Sequence, residues 1–168
     1  MNNPIPLDAE TRAAERPVEH KAELRLWLRM LTCCNLIEAE IRRRLAAQFS
    51  VTLPRFDLLA QLDKVPDGLT LGETSRRMMV SNANVTTLVE RLVGDGLISR
   101  RADPNDRRTT YISLTPEGRS AFAAMARAHE QWIAELFDDL HADDVATLMR
   151  LLGKAKLSVG RATDGERR

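Results

Sequence analysis

At 168 residues, with 43% hydrophobic and 4% aromatic content, the chain suits one domain, or one compact unit carrying accessory helices. A formal net charge of +1 argues against a protein that coats nucleic acid through bulk positive charge, and no apolar run approaches the roughly 20 residues that a membrane span needs. The 3 histidines and 2 cysteines form no Cys/His cluster, which disfavours a structural zinc site.

Residues 1–18 hold Pro, Ala and charges without an apolar stretch, so they read as a flexible arm rather than a signal peptide. Residues 19–49 read as one long helix. Leu24, Leu28, Leu31, Cys34, Ile37, Ile41 and Leu45 recur every three or four positions, and Trp27 and Met30 widen the stripe. One small domain cannot cover a stripe of that length, so part of it is expected to meet a second copy of the chain. Cys33 and Cys34 are adjacent and point to different faces, which makes them poor partners for each other. At least one is expected to be a small buried hydrophobe; a redox switch is the sharper alternative.

Pro54 marks the next helix start, with Phe56, Leu58, Leu59 and Leu62 as its buried face and Pro66, Asp67 and Gly68 as its end. Thr70 and Glu73 form a capping-box pattern that opens a short helix, Leu71 to Met78. Ser81 is an N-cap for a further helix from Asn82 to about Asp95, closed by Gly96. Val85, Leu88, Val89 and Leu92 must face its core, leaving Asn82, Asn84, Thr86, Thr87, Glu90 and Arg91 outside. Leu97 to Arg101 and Thr109 to Leu114 are strand-like and flank a turn at Asp103-Pro104-Asn105-Asp106. Thr115-Pro116 opens a long helix to about Leu140, banded by Phe122, Met125, Ala126, His129, Trp132, Ile133 and Leu136. The last helix is expected over Ala142 to about Lys156, with Val145, Leu148, Met149, Leu151 and Leu152 apolar and residues 159–168 a flexible tail.

The expected fold is mainly α with a small β-hairpin wing. It is a winged helix-turn-helix over residues 50–115, flanked by dimerisation helices at 19–49 and 116–158. Duplex DNA is the matching partner. Asn82 and Asn84 suit adenine edges, Thr86 and Thr87 suit phosphates or thymine methyls, and Ser81 lies at the same helix start. Arg91 suits a phosphate or the groove edge, as do Arg76 and Arg77 on the preceding helix. At the wing tip, Asp106 beside Arg107 and Arg108 suits a carboxylate that orients one guanidinium for the minor groove. Residues 70–119 hold eight Lys/Arg against six acids, so the wing must act by placement rather than bulk charge. Glycine-rich phosphate loops, nucleophile elbows and paired His/carboxylate arrangements are missing, so an enzyme is not expected.

VTTLVERL, GLISR, DRR and LTPEG, within residues 70–118, resemble the MarR family of bacterial transcriptional regulators, and with the flanking helices the resemblance spans about residues 20–156. It implies a cytoplasmic homodimer on a palindromic operator. Such a protein is expected to repress until a small, often aromatic, ligand binds between the dimerisation helices and the winged domain. His141 departs from the Ser that many members carry before the last helix. LRLWLRMLTCCNLIEAEIRRRL, TLPRFDLLAQL and MVSNANVT are further similar to the branch that senses hydroxycinnamoyl-CoA or related aromatic acyl-CoA thioesters. That branch implies an aromatic acid or aromatic acyl-CoA effector and no other cofactor. Trp27 and Phe56 would line the pocket, Arg25, Arg29 or Arg42 to Arg44 would meet carboxylate or CoA phosphates, and His129 is a further candidate. The alternative for Trp27, Phe56 and His129 is plain core, and for Arg42 to Arg44 a solvated helix face. A cysteine-based redox repressor and a ligand-independent architectural DNA-binding dimer are the alternative functions.

Overall fold

The computed structural model describes residues 22–103, 106 and 109–165; the expected N-terminal arm and the wing-tip residues Pro104, Asn105, Arg107 and Arg108 lie outside them. In chain order the elements are α1 (Ala22–Phe49), α2 (Leu53–Asp63), β1 (Leu69–Thr70), α3 (Leu71–Met78), α4 (Asn82–Gly94), β2 (Ile98–Ala102), β3 (Thr110–Leu114), α5 (Pro116–Leu136) and α6 (Ala142–Gly165). The chain divides into two compact units, residues 1–129 and 130–168.

The first unit is built around the winged helix-turn-helix. Its core is Leu45 of α1, Leu58, Leu59 and Leu62 of α2, Leu69 of β1, Val85, Val89 and Leu92 of α4, Ile98 of β2 and Ile112 of β3, each at most 2% exposed. Burying each of these side chains contributes about 1.5–3 kcal/mol, and the positions sit at helical or alternating spacing along their elements. Leu88 is half-buried rather than core: at about 100° per residue it lies on the flank of the Val85–Val89–Leu92 stripe.

The sheet has the order β1-β3-β2, all antiparallel. In the wing, Ile98 faces Leu114, Arg100 faces Ile112 and Arg101 faces Tyr111. The third strand, β1, was not expected. Two residues long, it exists only because Leu69 and Thr70 pair with Ile112 and Tyr111, more than 40 positions away. Gly68 makes that approach possible. Its φ is +91°, and a Cβ there would sit 2.6 Å from the Ile112 carbonyl oxygen.

Close packing of backbone also fixes the start of α5. Thr115 donates its N–H to the Leu97 carbonyl at 3.1 Å and its hydroxyl to the Gly96 carbonyl at 2.7 Å. The same Oγ1 caps the Gly118 N–H at 2.9 Å. A Cβ on Gly118 would lie 2.0 Å from the Leu97 oxygen, so only glycine fits.

The apolar stripe of α1 is buried only at its C-terminal end, by Ile41 and Leu45. Leu24, Leu26, Trp27, Leu31 and Leu36 are exposed. Cys33 and Cys34 are both exposed, which corrects the expectation that one is buried: among the described residues, α1 is fully buried only at Ile41 and Leu45.

In the second unit, α5 ends at Leu136, earlier than expected. Phe137 and Asp138 bond back three residues to Ala134 and Glu135 at 3.2 and 3.4 Å, a tightened last turn. Asp138 and Asp139 there oppose the negative end of the helix dipole. At the start of α6 the Asp144 carboxylate accepts the His141 N–H at 3.1 Å, so this carboxylate supplies the cap. α6 continues through Gly165, past the expected end near Lys156. Gly160 does not stop it, and the Thr163 hydroxyl bonds the Val159 and Gly160 carbonyls at 3.1 and 3.0 Å. Val145, Leu148, Met149, Leu151, Leu152, Leu157 and Val159 are exposed along α6. Among the described residues no helix is long and apolar enough to cross a membrane.

Candidate nucleic-acid interface

The reading unit begins at the capping box. The Thr70 hydroxyl accepts the Glu73 N–H at 3.2 Å, and the Glu73 carboxylate accepts the Thr70 N–H and hydroxyl, both at 2.8 Å. These two bonds from Thr70, backbone first, hold the Glu73 carboxyl below the ordinary carboxylate range. Thr74 is fully buried and satisfied, donating to the Thr70 carbonyl at 2.8 Å. Arg76 and Arg77 occupy the last turn of α3, exposed, where their charge complements the helix C-terminus.

The turn into α4 is made by Met79 in the left-handed region at φ 55°, with its side chain 92% exposed. The Val80 N–H bonds the Ser75 carbonyl at 3.2 Å, and the Ser75 hydroxyl returns to the Val80 carbonyl at 2.5 Å. Ser81 then caps α4, accepting the Asn84 N–H at 3.4 Å. At the far end Gly96, φ +73°, closes a Schellman turn in which Leu97 bonds the Leu92 carbonyl at 2.9 Å and Gly96 the Val93 carbonyl at 3.0 Å. Arg55 of α2 pairs with Asp95 at the same end and ties α4 to α2. The recognition helix is therefore fixed at both termini.

With Val85, Val89 and Leu92 buried, helical geometry places Ala83, Thr87 and Glu90 along the middle of the outward face. Asn84 and Arg91 flank that line on one side and Thr86 on the other, while Asn82 shares the direction of Val89 and is exposed because it is the first residue of the helix. Ser81, Asn82, Asn84, Thr87 and Arg91 are exposed, and Thr86 is half-buried. The Thr86 and Thr87 hydroxyls donate to the Asn82 and Ala83 carbonyls at 2.9 and 3.2 Å. Ala83 escaped sequence reasoning because an alanine offers no polar group to notice; its place on the helical wheel was the available signal.

In the wing, the Arg101 guanidinium lies 5.3 Å from the Tyr111 ring centre, and the Ser99 and Ser113 hydroxyls meet at 3.1 Å. At the base of the tip, Asp103 accepts the Asp106 N–H at 3.2 Å and Asp106 accepts the Thr109 hydroxyl at 2.9 Å. The Asp103 carboxylate thus holds a backbone N–H and the Asp106 carboxylate a side-chain hydroxyl. The expected role of Asp106 toward Arg107 and Arg108 falls outside the described residues.

The candidates for an effector site divide. Phe56 is buried, with ring centres 5.6 Å from Phe122 and 5.1 Å from His129. His129 is half-buried. Beside Phe56, burial raises the Asp57 carboxyl above its ordinary range; Glu38 adds to the shift, and His129 and Arg42 oppose it. Asn35, Glu38, Ala39 and Arg42 line a groove of about 310 Å³ on α1. Arg42 pairs with Glu38, and Arg43 and Arg44 pair with Glu40 at 2.7 and 2.6 Å, holding its carboxyl at about 2. Arg42 and Arg43 are exposed, whereas Arg44 and Glu40 are half-buried, so these charges neutralise one another along a face that is only partly solvated. Trp27 is 54% exposed, so it is not core in this chain. Trp27 also lies eight residues, about 12 Å along the helix, from Asn35 at the groove. Arg29 is exposed near it, and Arg25 is half-buried with its Nε buried and without a hydrogen-bond partner. Phe56 and His129 are brought together; Arg25, Trp27 and Arg29 occupy the opposite end of α1. Among the described residues no group of three His, Cys, Asp or Glu side chains is arranged to hold a metal ion.

Comparison with known proteins fits this geometry. The model of the MarR family matches residues 51–110, the stretch from just before α2 to the first residue of β3. The transcriptional activatory protein BadR of Rhodopseudomonas palustris is 28% identical over 158 residues, covering 91% of this chain and 90% of BadR. The crystal structure of a MarR family transcriptional regulator from Silicibacter pomeroyi superposes with a TM-score of 0.70 at 31% identity, over 82% of this chain and 94% of that one. A cysteine-to-serine mutant of MarR from E. coli, crystallised in complex with operator DNA, shares the fold with a TM-score of 0.67 at 24% identity, over 85% of this chain and 96% of its own. The winged helix-turn-helix and a relative matched over nearly its full length lead to one assignment: the chain belongs to the MarR family and is a DNA-binding transcriptional regulator rather than an enzyme.

Proposed function

We propose that the protein is a cytoplasmic homodimeric repressor that binds a palindromic operator in duplex DNA and is released by a small aromatic effector, an aromatic acid or an aromatic acyl-CoA such as a hydroxycinnamoyl-CoA. The observation that carries the DNA part is α4. It is capped at one end, closed by a Schellman turn at the other, and bears two exposed amides, Asn82 and Asn84, at its start. Arg76, Arg77 and Arg91 supply phosphate contacts beside it, and Arg107 and Arg108 supply grip from the wing tip. The uncovered apolar residues of α1 and, separately, of α6 support the homodimer: so much exposed Leu, Met and Val calls for a partner surface. Two reading helices related by a twofold axis then match a palindrome.

The effector reading rests on Phe56, His129 and Asp57 lying together at the junction of α1, α2 and α5, next to the α1 groove. Aromatic walls with a few polar groups suit a planar aromatic acid. Binding there favours a dimer whose reading helices no longer fit successive major grooves. Titrating protein bound to a fluorescent operator with aromatic acids and their CoA thioesters tests this part, and no release by any thioester removes the acyl-CoA assignment. Arg107→Ala combined with Arg108→Ala tests the wing: operator affinity falls and its salt dependence flattens. Unchanged affinity and slope in a folded protein refute the wing role. A cysteine redox input is the second reading, favoured by the exposure of Cys33 and Cys34. Replacing both with Ser, and finding that peroxide still abolishes operator binding, eliminates it.

A further inference from the structure

The central line of α4 is lined with methyl groups. Ala83 offers one. Thr87, four residues on, offers another, because its hydroxyl proton is committed to the Ala83 carbonyl at 3.2 Å. The Thr86 hydroxyl is committed in the same way to Asn82. A threonine so bonded has no proton left for a phosphate oxygen, nor for the acceptors on guanine or on thymine O4. What remains is a methyl group and an oxygen that only accepts. Thr87 is exposed on the outward face while Thr86 is half-buried, so Thr87 is the one that reaches a partner. Glu90 lies exposed one turn further along the same line, and a carboxylate there is repelled by phosphates. This line therefore suits base edges better than the phosphate backbone.

Resting on the DNA-binding reading above, we infer that Thr87 is a specificity-determining residue that reads a thymine through its methyl group, packed beside the Ala83 methyl. The Asn82 and Asn84 amides, which make no side-chain hydrogen bond among the described residues, suit adenine. The base pairs under the first two turns of α4 are accordingly A·T pairs, with one thymine C5 methyl per half-site against Thr87. The hydroxyl of Thr87 serves the helix and not the DNA.

The test uses the full-length protein and the duplex that it enriches from a random library. Each half-site thymine is replaced in turn by deoxyuridine, which removes only the C5 methyl, and Kd is measured for wild type, Thr87→Val and Thr87→Ser. One deoxyuridine position per half-site weakens wild-type binding about fourfold. Thr87→Val stays within about threefold of wild type and keeps that response, whereas Thr87→Ser binds more weakly and no longer distinguishes thymine from uracil. A wild-type protein that binds its duplex but is indifferent to every deoxyuridine overturns the inference alone, as does tight binding by Thr87→Ser with loss in Thr87→Val. Failure to enrich any duplex overturns the DNA-binding reading and the inference with it.

Discussion

Replacing Gly118 with alanine tests how the recognition helix is held. The added Cβ would lie 2.0 Å from the Leu97 carbonyl oxygen and 2.9 Å from its carbon. Since real Cβ atoms essentially never come within 3.0 Å, α5 and the Leu97 backbone must part by about 1 Å. No side chain can turn aside to relieve this, because both obstacles are backbone. A shift of that size breaks the bonds from Thr115 to Leu97 and Gly96, now at 3.1 and 2.7 Å. Two such bonds are worth about 1 kcal/mol each, and overpacking costs about 1–3 kcal/mol. Helix propensity returns about 1 kcal/mol, which leaves a net loss of about 2–4 kcal/mol. Leu97 is itself part of the Schellman turn of α4, donating its N–H to the Leu92 carbonyl, so the recognition helix also loses its seat and operator affinity falls with stability. Urea denaturation of Gly118→Ala beside Gly72→Ala separates this from a generic glycine effect, as a Cβ on Gly72 meets nothing within 4 Å. A midpoint for Gly118→Ala equal to wild type refutes the argument.

Met79→Gly removes the left-handed strain of a non-glycine residue and loses no packing, since Met79 is 92% exposed; it raises stability by about 0.5–1 kcal/mol in denaturant titration, and destabilisation would contradict the turn geometry. Arg55 and Asp95 form a partly buried pair, so a double-mutant cycle of Arg55→Met and Asp95→Ala gives a coupling of about 1 kcal/mol; additivity within about 0.3 kcal/mol means that the pair does not tie α2 to α4. Glu73 has a lowered folded-state pKa, so its stabilising contribution is present above the ordinary value of 4.5 and is lost as pH falls through the folded value. The stability advantage of wild type over Glu73→Gln, measured as a denaturation midpoint from pH 7 downward, therefore shrinks in acid, and a constant gap is the opposing result.

What could be read from the sequence was what is local. Thr70 and Glu73 are three residues apart, and Ser81, Gly96, Thr115 and Pro116 mark helix ends by their own chemistry, so the helix-turn-helix and its boundaries follow from the order of residues. β1 was invisible because Leu69 and Thr70 are strand only by pairing with Ile112 and Tyr111. Gly118 looked like any glycine after a proline until its contact with Leu97 appeared. Cys34 fits the α1 stripe by period, yet period says only which face a residue occupies and not whether anything covers it. On α4 the exposed polar residues were evident from the pattern. The commitment of both threonine hydroxyls to the helix was not, because a threonine in sequence offers either hydroxyl or methyl equally well.

Two copies of α4 reading two half-sites is the claim on which the rest depends. Sedimentation of the protein on its enriched duplex, with hydroxyl-radical footprinting of the same complex, measures it directly. Two chains per duplex and two symmetric protected half-sites, with centres about 10 bp apart, are the expected result. One chain per duplex on a single asymmetric site would contradict it.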